Sequence, residues 1–143
     1  MRNIMFLLFF LPYWLFAQEE TNDKYQWTLY GEESGVQIYY KYQECNKPTD
    51  GIFKEYVLLQ FLNTSEASIA ISWDNELWYN NVCQTCKSEN GEYHYEINLG
   101  PGESIEGDCN DNYDLRLFSK FLNYRDKATL TKFDLKNLTV TQK

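Results

Sequence analysis

Basic residues are scarce through most of this chain. Residues 18–114 hold five Lys/Arg against 19 Asp/Glu, and only residues 115–143 reverse the balance, with seven against two. The whole carries a formal charge of −8. A main body without a basic stripe argues against nucleic acid as a partner. Histidine is nearly absent as well, with His94 alone, so Ser–His–Asp chemistry has a single candidate base and no Ser placed beside it. G-x-S-x-G, H-E-x-x-H and a Gly-rich phosphate loop are all missing, so no cofactor and no catalytic residue are expected. Three prolines and seven glycines form no linker tract, and no internal repeat occurs.

One long apolar run is present, at the start. M-R-N precedes I-M-F-L-L-F-F-L-P-Y-W-L-F-A, and Q-E-E-T-N-D-K then turns abruptly polar. A single positive charge, a 14-residue apolar stretch (residues 4–17) and the small Ala17 are expected to form a signal helix cleaved before Gln18. The run is short for a membrane span of about 20 residues, and Pro12 interrupts it. No Cys follows the cut to carry a lipid anchor. The ending F-A-Q-E resembles leaders of exported proteins from Bacteroidetes-type bacteria, many of which place Gln after the cut. The expectation is a secreted or periplasmic protein with no stable membrane insertion once residues 1–17 are removed. Residues 18–143 would then form one domain around one core.

Short alternating segments rich in Tyr, Ile, Val, Phe and Trp, broken by turn residues, predict an all-β domain of about seven antiparallel strands. Strands are expected at 25–31, 36–45, 52–62, 68–73 (continuing irregularly to Tyr79), 92–99, 115–121 and 130–140. E-E-S-G and G-P-G supply turns. In the last segment Phe133 and Leu135 are out of phase with Leu138 and Val140, so one extra residue near Asn137 predicts a β-bulge. This ordering resembles immunoglobulin-like or fibronectin-type sandwiches over residues 24–141. The resemblance implies a two-sheet sandwich that contacts partners through its loops. It lacks the paired Cys-plus-Trp signature of antibody domains, because the cysteines fall at strand ends.

Cys45, Cys83, Cys86 and Cys109 are spaced C-x37-C-x2-C-x22-C, without the second knuckle of a zinc ribbon. Export favours two disulfides over a zinc site or a catalytic dithiol, because the flanks V-C-Q-T-C-K-S-E-N-G read as loop rather than helix start. A strand meander brings all four thiols to one end. The expected pairing joins Cys45 to one member of the C-x-x-C and Cys109 to the other, since a Cys83–Cys86 bridge would close only a tiny ring.

Three stretches are candidate sites. His94 shares a strand face with Glu92 and Glu96, which reads as a solvated polar face more readily than as a metal or acid–base site. Asp108, Asn110, Asn112 and Asp114 alternate like the start of an EF-hand calcium loop. Tyr113 stands where that loop needs Gly and Ser119 where it needs Glu, so an acidic Asx turn is the stronger reading. In W-D-N-E-L-W-Y, Asp74, Asn75 and Glu76 lie between the rings of Trp73, Trp78 and Tyr79 and suit bonding to sugar hydroxyls, although such rings more often pack in a core or its rim. Trp78 and Tyr79 are adjacent, so in an extended chain one of them must face outward. Asn63-Thr-Ser and Asn137-Leu-Thr match glycosylation acceptors, which a bacterial leader makes uninformative. The functional expectation is a non-catalytic exported domain that binds a protein or glycan at the cell envelope. An accessory subunit docking through an edge strand stands second, and a carboxylate hydrolase third.

Overall fold

The computed structural model describes residues 23–87, 91–124 and 127–143; the expected leader at 1–17 lies outside them. The described residues hold nine strands and no α-helix, with 3-10 turns at Asp23–Tyr25, Pro48–Asp50 and Tyr113–Leu115. No helix among them is long and apolar enough to cross a membrane. The strands are β1 (Thr28–Glu33), β2 (Val36–Lys47), β3 (Ile52–Asn63), β4 (Ile69–Tyr79), β5 (Val82–Cys83), β6 (His94–Leu99), β7 (Ser104–Glu106), β8 (Arg116–Phe121) and β9 (Leu130–Gln142). Seven correspond to the expected segments. β5 and β7 are additional, and at two and three residues they are too short to show a period of two.

All pairings are antiparallel and form two sheets. The first runs β1–β2–β3, with β7 and β8 sharing the far edge of β3. The second centres on β4, with β9 along one edge and β6 and β5 sharing the other. Val36, Ile38, Val57, Leu59 and Phe61 of the first sheet meet Ile69, Ile71, Trp73, Leu99 and Leu135 of the second in one buried cluster. Burying each such side chain stabilises the fold by about 1.5–3 kcal/mol. The architecture is therefore a two-layer antiparallel sandwich. Tyr30 of β1 links the layers, accepting the Leu135 amide at 2.9 Å while its ring stacks on Phe133.

Local chemistry sets the reversals. Ser34 and Gly35 are both left-handed, as a two-residue β1–β2 hairpin requires, and Asn80 and Asn81 make the same kind of turn between β4 and β5. The expected bulge is present. Lys136 pairs with Asp74 and Thr139 with Ser72, so Asn137 and Leu138 together oppose Trp73, with Asn137 at φ 51°. Asn63 is fully buried and donates to the carbonyls of Ala67 and Gly100, each at 2.8 Å, so it is a core hub.

The cysteine pairing departs from expectation. Cys45 bonds Cys109, and Cys83 bonds Cys86. No cysteine is free. Both bridges lie towards the β2–β3 turn, as the meander implied, but in different sheets. Cys45 ends β2, and Cys109 follows β7 along the same sheet. The C-x-x-C folds back along β4 in the opposite layer. There Gln84 donates to the Leu77 carbonyl at 2.9 Å, while the Thr85 hydroxyl donates to that of Asn75 and accepts the Leu77 amide. The tiny ring that sequence reasoning set aside therefore forms on a segment already pinned by β4.

Candidate functional site

Strand β4 keeps strict alternation along its whole length, where the sequence suggested that it fails after Trp73. Ile69, Ile71, Trp73 and Asn75 are buried, and Leu77 and Tyr79 continue the inward face. Asp74, Glu76 and Trp78 therefore point outward in one row. The three aromatic candidates separate accordingly. Trp73 has no exposed surface, stacks between Phe61 (4.6 Å) and Tyr95 (5.8 Å), and donates its indole N–H to Asn75 Oδ1 at 3.0 Å. It is core and cannot meet a ligand. Tyr79 points between the layers, stacked on Phe118, and donates its hydroxyl to the Phe118 carbonyl at 2.6 Å. Burial, then the neighbouring Tyr93 and Tyr56, push its phenol up to about 12. Trp78 is the outward ring, half-buried, with the Lys132 ammonium 4.3 Å from its centre.

Strand register then completes a site that single-strand spacing concealed. Asp74 lies directly across from His94 on β6 and Lys136 on β9. Its Oδ1 is 2.7 Å from His94 Nδ1, and its Oδ2 accepts the Asn137 side-chain amide at 2.6 Å. The bulge brings Asn137 to this outer face while Leu138 stays with the core. Asn137 first, then His94, holds the Asp74 carboxyl below the usual carboxylate range. These groups, with Glu76, Lys136 and Tyr93, line a shallow recess of about 310 Å³, closed at one end by Thr85 and Cys86. Glu92 and Glu96, the sequence neighbours of His94, do not line this recess.

Along β9, Lys132 and Lys136 flank Asp134 at 2.9 and 3.6 Å, which leaves the row beside Trp78 and Glu76 balanced in charge. No family model matches the chain, and neither a curated protein nor a solved structure matches it. The function must therefore be argued from the site itself.

The acidic stretch at 108–114 is built as a turn. Asp108 Oδ1 accepts the amides of Asp111 (2.7 Å) and Asn110 (2.5 Å), which in that order hold its carboxyl low, helped by Arg116. Asn112 is left-handed, its side chain donating to the Glu106 carbonyl at 2.8 Å, and Asp114 falls in the 3-10 turn that follows. Among the described residues no group of three or more His, Cys, Asp or Glu side chains gathers in one place. The alternating Asx residues serve this turn.

Proposed function

We propose that this protein is an exported, non-catalytic glycan-binding domain with an immunoglobulin-like sandwich fold, acting in the periplasm or outside the cell. Its contact surface is the outer row of β4. The observation that carries the reading is the alignment of a half-exposed indole, Trp78, with the Glu76 and Asp74–His94–Asn137 groups on one face. Four strand residues separate Trp78 from Asp74, about 13 Å, the reach of a short oligosaccharide. An indole face stacks on a sugar ring, and carboxylate, imidazole and amide groups held in place bond its hydroxyls at little entropic cost. The non-catalytic part is supported by Asp74. A carboxyl held low and bonded through both oxygens is a fixed acceptor and a poor proton carrier near neutral pH.

Docking through the β1 edge fits less well, because β1 carries a bulge at Tyr30 and ends in Glu32 and Glu33, both features that blunt an edge. A glycan array probed with the wild-type protein and with Trp78→Ala and Asp74→Asn tests the reading. Binding that both substitutions abolish, at unchanged thermal stability, supports it. Binding untouched by either one sinks it.

A further inference from the structure

The first sheet carries a second recess, of about 210 Å³, between the end of β2 and the turn that follows β7. Three cations line it, Lys47, Lys54 and Arg116, and among the described residues no carboxylate does. In a chain with 21 acidic and 13 basic residues this is a local inversion of charge. A concave wall of one sign focuses its field on the space it encloses.

Arg116 is held there as a planar donor. Its guanidinium carbon lies 4.5 Å from the centre of the Tyr56 ring and 4.3 Å from that of Tyr113. Nη1 donates to the Cys109 carbonyl at 2.7 Å. The group has five N–H donors, and among the described residues Arg116 has no carboxylate within salt-bridge distance. Asp108, whose carboxyl feels Arg116, spends Oδ1 on two backbone amides. The mount is also rigid. The Cys45–Cys109 bridge ties its two walls together. Behind it, a Cβ on Gly107 would lie 2.3 Å from the Leu115 carbonyl oxygen, so only glycine lets the turn close onto the start of β8.

We propose that this recess binds the carboxylate of a single acidic sugar residue, a uronate, with Arg116 as the bidentate donor and Lys47 and Lys54 at the rim. A planar fork fixed between two rings matches a carboxylate better than the tetrahedral oxygens of a sulfate or phosphate. The volume suits one ring rather than an extended peptide. Asn110 lines the same space and offers its side-chain amide to ring hydroxyls. The anionic half of the proposal stands on the recess alone, and the sugar half rests on the glycan-binding reading above.

The test is titration of the whole protein with glucuronate, glucose, acetate and sulfate, read by NMR shifts and calorimetry. Glucuronate should shift the recess resonances and bind at least tenfold more tightly than each of the other three. Arg116→Lys, which keeps the charge but loses the fork, should weaken it at least tenfold. Lys47→Glu, at an exposed position that does not threaten folding, should do the same. Trp78→Ala should leave it unchanged. Acetate equal to glucuronate removes the sugar, sulfate equal to glucuronate removes the carboxylate, and indifference to both recess variants removes the site. Loss of glucuronate binding in Trp78→Ala alone would place it on β4 instead. Failure of neutral glycans to bind β4, with glucuronate still held by Arg116, would overturn only the earlier reading.

Discussion

The two disulfides should differ sharply in what they contribute to stability, and replacing each as a Cys→Ala pair measures the difference. Cys45 and Cys109 are 64 residues apart, Cys83 and Cys86 only three. The entropy of closing those loops in the unfolded chain corresponds to about 4.3 kcal/mol for the first and about 1.9 kcal/mol for the second. The native state widens the gap. The C-x-x-C segment stays bonded to β4 through Gln84 and Thr85 after its bridge is removed. Cys109 instead anchors the turn on which Arg116 rests, and the bridge ties that turn to the end of β2. With a urea m-value of about 1.5 kcal/mol/M, the midpoint should fall by about 3 M for Cys45→Ala/Cys109→Ala and by about 1 M for Cys83→Ala/Cys86→Ala. For a domain worth 5–15 kcal/mol, the first loss approaches unfolding. Equal losses, or a larger one for the C-x-x-C pair, would refute the reasoning.

Three other outcomes follow from the same geometry. Trp78→Ala should cost under about 1 kcal/mol in chemical denaturation, because the ring lies on the outer face, whereas Tyr79→Ala should cost about 3 kcal/mol or more by emptying the space beside Phe118. Asn137→Gly should keep the bulge and its left-handed backbone but release Asp74, raising the Asp74 pKa as followed by NMR titration; Asn137→Ala should also strain the backbone and lower Tm further. Because the Tyr79 phenol is raised from 10.0 to about 12, its contribution to stability should be whole below pH 10 and lost as pH climbs to about 12. In Lys24, burial opposes the charge, but the Glu55 bond and charge outweigh it and raise the pKa, so its contribution should fade above about pH 10.5. Unfolding curves between pH 9 and 12 should therefore show less alkaline loss in Tyr79→Phe than in wild type.

The strands were legible wherever burial on one face is continuous. Val36, Ile38 and Tyr40 give β2, and Tyr95, Ile97 and Leu99 give β6, because alternate residues meet one core. The phase slip between Leu135 and Leu138 announced the bulge before any partner strand was known. β5 and β7 were not legible, since a pairing of two or three residues leaves no period and depends on β4 or β3 lying alongside. The cysteine pairing failed for a related reason. Sequence order placed the four thiols at one end but could not say which sheet each belonged to, and the sheet decides which sulfurs meet.

The candidate site was the least legible part, although Asp74, His94 and Asn137 each lay in a stretch singled out from the sequence. Asp74 read as one of three polar groups suited to sugar hydroxyls, His94 as a solvated face, and Asn137 as the neighbourhood of a bulge. They lie 20 and 63 residues from one another in the relevant pairs and meet only through register. A slip of one residue in β4 would turn Asp74 into the core and Trp73 out of it. Several features oppose that slip. Trp73 fills the space between Phe61 and Tyr95, and the Asn80–Asn81 turn fixes where β4 ends. The bulge lets β9 keep both Leu135 and Leu138 inward. That same bulge supplies the second hydrogen bond to Asp74. The step that solves a packing problem on the inside of β9 thus creates the polar cluster on its outside, which is why the core pattern was readable from the chain and the site was not.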